Sequence, residues 1–149
     1  MTVQHYTLDI PENLRDQLLD FRRSNPAIRG DTAWQNLPDK TIPPWLEPLA
    51  KQVFDRVGNY EFVDWWANIA DRNRITRWHN HPRYDLVAVA YVAVPGGAIE
   101  FQESGGFFRL EPKSGDLLIF PGTLVHQVCA NSGTDPRISV AFNFTVQLK

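Results

Sequence analysis

Apolar positions recur at helical spacing in the first third of the chain and at strand spacing thereafter. Leu14, Leu18 and Phe21 share one helical face. Asp9-Ile10-Pro11-Glu12 before them reads as a helix start, with Asp9 as the cap and Glu12 reaching back, and Asn25-Pro26 ends the helix. Residues 27–39, with Gly30, Asp31, Asn36 and Pro38, are expected to be loop, and their length together with Arg29 and Trp34 makes them a candidate lid. A second helix is predicted from Pro43 or Pro44, with Leu46, Leu49, Val53 and Val57 as its apolar stripe and Gly58 as its stop.

Beyond Gly58 the pattern is that of strands, at 61–69, 75–79, 86–94, 98–102, 107–110, 116–120, 124–129 and 138–146. Connectors such as Pro95-Gly96-Gly97 and Ser104-Gly105-Gly106 separate them. Short strands punctuated this regularly predict a mainly β sandwich or barrel, with a jelly roll (double-stranded β-helix) favoured and the two helices packed outside one sheet. The length and the absence of repeats predict a single domain over 1–149, helical over 1–58 and jelly roll over 59–149.

Composition mainly excludes. A net charge of -2 and no Lys/Arg run longer than two residues give no basic face for nucleic acid. No apolar stretch is long enough to span a membrane, and Met1 to Ile10 does not read as a signal peptide. A lone cysteine, Cys129, rules out an internal disulfide and suits a reducing cytoplasm. It lies three residues past His126, so it should point away from it and serve packing.

The candidate chemistry lies in three of the four histidines. His79 and His81, two apart after a strand, can converge on one point, and a jelly-roll winding would bring His126 beside His79. Three neutral imidazoles can hold a divalent first-row metal and leave positions open for reaction. The ordinary alternative is two loop histidines and one satisfied core histidine.

His79-x-His81 followed by Gly115-x5-Pro121-x4-His126 resembles the two metal-binding motifs of the cupin superfamily. More specifically, the chain resembles the small bacterial and phage 2-oxoglutarate/Fe(II)-dependent oxygenases. Trp66-Ala67-Asn68, His79-Asn80-His81-Pro82, Phe120-Pro121 leading to His126, and Arg137-Ile138-Ser139 carry the likeness, which covers roughly residues 60–146. The resemblance implies that His79, His81 and His126 are catalytic and hold Fe(II). It also implies that Arg137 pairs with the far carboxylate of 2-oxoglutarate while Ser139 adds a hydrogen bond. A planar guanidinium fork suits that carboxylate, whereas an exposed Arg opening a strand is the plain alternative. Tyr91 and Asn68 are further candidates for holding the cosubstrate, against ordinary packing or a turn bond.

The departure from the family pattern is His81, which stands where these oxygenases place an acid. Either His79, His81 and His126 form a three-histidine site, or Asp85 replaces one of them; with 2-oxoglutarate and oxygen bound, six-coordinate iron leaves three places for protein. The first is favoured. Strand alternation puts Arg137, Ser139, Ala141 and Asn143 on one face, and Trp65, Trp66, Trp78 and Phe120 are expected cavity walls by position. Glu100 is expected to be solvated. The implied activity is oxidation of a small organic substrate by molecular oxygen, with 2-oxoglutarate becoming succinate and CO2 and hydroxylation of a C–H bond the commonest outcome. Two rivals stay open: a cosubstrate-independent three-histidine cupin dioxygenase, and a non-catalytic β-sandwich binding module. Substrate and oligomeric state are not legible in the sequence.

Overall fold

The computed structural model describes residues 3–25 and 33–147. In chain order these form β1 (Gln4–Thr7), α1 (Leu14–Ser24), β2 (Trp34–Gln35), a 3-10 turn (Pro44–Leu46), α2 (Glu47–Val57), β3 (Tyr60–Ala70), β4 (Thr76–His79), β5 (Leu86–Ala93), β6 (Ile99–Glu103), β7 (Gly106–Leu110), β8 (Asp116–Pro121), β9 (His126–Val128) and β10 (Arg137–Val146). The strands make two antiparallel sheets: a major one ordered β1-β8-β5-β10-β3-β2 and a minor one ordered β4-β9-β6-β7. This is the mainly β jelly roll that the turn spacing predicts, and all eight expected strands are present to within a residue or two.

The major sheet is covered on both faces, so its central strands read as nearly unbroken apolar runs. One set of residues packs on the helices: Ala88 and Ala90 of β5, Leu117 and Ile119 of β8, and Ile138, Val140, Phe142 and Phe144 of β10 meet Leu14, Leu18, Leu49 and Val53. The alternate set, with Val87, Val89, Tyr91, Leu118, Phe120 and Ala141, turns to the minor sheet and its Ile99 and Phe101. The helices therefore lie outside one sheet, as expected, and the space between the sheets is left for a site.

Two sequence readings fail locally, and a third lies partly outside the described residues. α1 starts at Leu14, with Asn13 as its cap residue and no side-chain cap, not at Asp9. Asp9 is engaged by α2: its N–H donates to Gln52 Oε1 at 2.8 Å and its carbonyl accepts from Gln52 Nε2 at 2.7 Å. That reciprocal clamp holds the linker extended and removes Asp9 and Glu12 from capping. The expected lid falls partly outside the described residues, Arg29 included. Its other end is structural: β2 pairs with β3, and Trp34 Nε1 donates to the Asn25 carbonyl at 2.9 Å. Glu100 is buried, not solvated; Gln127 Nε2 donates to it at 2.6 Å and Arg109 lies 3.5 Å away. Among the described residues no helix is long and apolar enough to cross a membrane.

Candidate metal centre

β4 and β9 pair so that His79 stands opposite His126. One extra residue between Thr76 and His79 breaks the register of that pair, a bulge that re-aims the strand end towards the interior. His81 arrives by another route. β4 ends at His79, and His81 opens a tight turn in which Tyr84 N–H donates to the His81 carbonyl at 3.1 Å, while His81 N–H donates to Gly122 at 2.7 Å. Two-residue alternation along a strand thus named the right pair although only its first member lies in one.

The ligand atoms of the three rings lie within 4.8 Å of one another. His79 Nδ1 donates to the Arg77 carbonyl at 2.6 Å, and His126 Nδ1 donates to that of Leu124 at 2.9 Å. A carbonyl only accepts, so each Nδ1 carries a hydrogen, and in the neutral form of each ring it is Nε2 that offers the lone pair. That is the arrangement in which a histidine serves as a metal ligand with its tautomer and ring plane fixed from behind. Burial, followed by the neighbouring His79, lowers the pKa of His126 to about 3 and that of His81 to about 4. Both rings are therefore neutral donors near pH 7. The donor chemistry fits a divalent first-row ion. Asp85 is outside this group: its Oδ2 accepts from Val146 N–H at 2.7 Å and from Thr145 Oγ1 at 2.9 Å, tying it to the end of β10.

A cleft of about 580 Å³, counting all space between its walls and at its mouth, adjoins the histidines. Arg137, Ser139, Asn68 and Tyr91 all line it, together with Trp66 and Gln35. Register explains the gathering: on β10 and β3, Ser139 stands opposite Asn68, and on β10 and β5 it stands opposite Tyr91. Arg137 is 5% exposed, and no carboxylate pairs with it among the described residues. Its Nη1 donates to the carbonyls of Gly96 and Cys129 at 3.2 and 2.9 Å, which fixes one prong of the fork. Burial lowers the guanidinium pKa from its ordinary value, but an arginine stays charged. Gly97, at φ +98°, lies against this side chain, and a Cβ there would collide with Nη1. Burial likewise raises the Tyr91 phenol, which stays protonated as a donor.

Two of the expected wall residues take other places. Trp65 faces the helices, contacts Phe21 and Trp45, and donates its Nε1 to the Thr41 carbonyl at 2.8 Å, because alternation on β3 sends Trp66 and Asn68 inward instead. Trp78 stands at the mouth, 38% exposed, beside Phe107. Phe120 backs His126 edge-on with ring centres 5.0 Å apart, and Trp66 lines the cleft as expected. Sequence reading missed Gln35, whose Nε2 donates to Asn68 Oδ1 and which lines the cleft. A single Trp-Gln pair in a loop-like stretch carries no periodic signal that would have found it.

Comparison with known proteins agrees with this geometry. Residues 98–143 match a family model described as "Putative 2OG-Fe(II) oxygenase". The chain is 27% identical over 113 residues to a PKHD-type hydroxylase of Pseudomonas fluorescens, covering 66% of this chain and 44% of that protein. It thus spans less than half the length of that relative. In fold it is similar to a Pseudomonas putida prolyl-4-hydroxylase, with TM-score 0.70 and 19% identity over 99% of this chain and 94% of that one. It is similar also to HygX from Streptomyces hygroscopicus with nickel and 2-oxoglutarate bound, with TM-score 0.72 and 11% identity over 99% and 83%. The chain is therefore similar in fold, and over residues 98–143 in sequence, to 2-oxoglutarate/Fe(II)-dependent oxygenases, as its motifs suggested.

Proposed function

We propose that the chain is an Fe(II)- and 2-oxoglutarate-dependent oxygenase that hydroxylates a C–H bond of a small organic substrate. The observation that carries this reading is a buried Arg137, with no carboxylate partner among the described residues, in the same cleft as three converging imidazoles. A buried cation without a counter-charge is costly, and a bound diacid would relieve that cost at one end while its keto acid end faces the histidines. In this reading His79, His81 and His126 hold the ion. Arg137 takes the far carboxylate with the part of its fork that Gly96 and Cys129 do not use. Ser139, 3.5 Å from Asn68 Nδ2, and the Tyr91 hydroxyl supply neutral hydrogen bonds around it. Trp66, Val87, Val89, Ile99 and Ala141 line the same cleft and exclude water from it. When bound, Fe(II) supplies the oxygen activation that couples loss of CO2 from the diacid to substrate oxidation.

Helices and strands share one apolar core, which supports treating the described chain as one working domain. The unpaired Cys129 supports a reducing compartment, the cytoplasm. One specific observation favours a rival: the donor set is three histidines with no acid, which also suits a cosubstrate-independent dioxygenase. Turnover separates the two. With iron and oxygen, wild-type protein is expected to convert 2-oxoglutarate to succinate, even slowly without substrate. Arg137→Lys, which cannot form the planar fork, is expected to weaken 2-oxoglutarate binding by about 10- to 100-fold, equivalent to the roughly 1.5–3 kcal/mol of a charge-assisted hydrogen bond. Oxygen consumption with a thiol substrate in the absence of 2-oxoglutarate, unaffected by that substitution, would favour the rival.

A further inference from the structure

His79 and His126 each have a ring N–H fixed to a backbone carbonyl, whereas the His81 ring makes no hydrogen bond among the described residues. A metal-ligating histidine ordinarily has such a partner, and losing it costs affinity. His81 must therefore be held through its backbone and its packing, and a buried network that the proposed reaction does not use lies behind both.

We propose that Asp64, Tyr84 and Asn143 form a positioning network for His81, a claim that rests on the three-histidine reading of the site. Asp64, on β3, is 7% exposed. Its Oδ2 accepts from the Tyr84 hydroxyl at 2.7 Å and its Oδ1 from Asn143 Nδ2 at 2.8 Å. Asp64 and Asn143 stand opposite each other just before the bulge in the β3–β10 pair. Asn143 is fully buried, and its own Oδ1 has no protein partner. Burying a carboxylate and leaving an amide oxygen unpartnered both cost stability, and an apolar trio would fill this space at lower cost.

The position explains the choice. Tyr84 closes the turn that begins at His81, so holding the Tyr84 hydroxyl holds the turn. The Tyr84 ring lies 6.1 Å from that of Trp66, and the Trp66 ring lies 5.4 Å from the His81 imidazole. Asp64 therefore anchors the residue that supports both the backbone of His81 and the aromatic surface against which its ring rests. From the other side Gly122 accepts the His81 N–H at 2.7 Å, and a Cβ at Gly122 would run into the carbonyls of His81 and Tyr84. The turn is clamped between Gly122, just after β8, on one side and the Asp64 network on the other.

Titration with Co(II), followed by its visible absorption, tests this on wild type, Tyr84→Phe, His81→Ala and the double variant. Tyr84→Phe keeps the ring and removes the hydroxyl. It is expected to weaken Co(II) binding about tenfold in the wild-type background, the low end of what loss of a ligand's support costs. In the His81→Ala background it is expected to change nothing further. Asp64→Asn is the second probe and should repeat the pattern. Unchanged affinity in Tyr84→Phe, or an equal loss in both backgrounds, overturns the network's role while leaving the metal site standing. A wild-type protein that binds no Co(II) overturns the three-histidine reading as well. If neither Tyr84→Phe nor Asp64→Asn folds, by near-UV circular dichroism, the network belongs to the fold and the inference falls.

Discussion

A histidine that is to hold a metal must give up its proton, and in this protein burial removes it. His126 is 5% exposed, and its surroundings bring it to about 3, with His81 at about 4. Both values lie below the 6.5 of an unfolded chain, so between pH 6.5 and about 3 the unfolded state binds protons that the folded state refuses. Stability contributed by these groups is complete above pH 6.5 and is lost as pH falls through about 4 for His81 and about 3 for His126. The metal-free protein should accordingly show a urea midpoint that drops between pH 7 and pH 5, and His81→Ala should flatten that dependence. A variant as pH-sensitive as the wild type would show that the acid sensitivity arises elsewhere. Arg137 illustrates the same environment acting on a cation: burial presses on its charge, but the guanidinium keeps it.

At the scale of elements, what was legible follows from what each element must do to both its neighbours. β5, β8 and β10 are buried on two faces, so they are apolar throughout and bounded by Gly, Pro and Asn turns, and their limits stand out in the sequence. β1 was not visible because its residues lie mostly exposed on a four-residue edge strand, with no alternation to mark it. The start of α1 was misread because Gln52, 43 residues away, takes the Asp9 backbone that a local cap would have used. A tertiary bond defeated a correct local rule. α1 itself is attached by few residues. Leu18, with no exposed surface, packs on the sheet, and Leu18→Ala is expected to cost about 2–5 kcal/mol in urea denaturation. Because α1 lies on the face of the sheet away from the histidines, Co(II) affinity of the folded variant should stay within about twofold of wild type. A cost below about 1 kcal/mol would mean that the helix is not anchored as described.

For the molecule as a whole, the jelly roll joins residues far apart in sequence into one cleft between two sheets. His79, His81, His126 and Arg137 were legible because histidine and arginine are uncommon on inward faces and their order is that of a known motif. The Asp64–Tyr84–Asn143 network was not, since each member is an ordinary residue in its own strand or turn and only the β3–β10 register brings them together. The proposed reaction requires a metal and a diacid side by side in that cleft. Anaerobic titration of the Fe(II)-loaded protein with 2-oxoglutarate measures this directly. A visible charge-transfer band that grows to one equivalent, and that Arg137→Lys shifts to much higher concentration, is the predicted result. Stoichiometric iron binding with no band at any concentration of 2-oxoglutarate would contradict it.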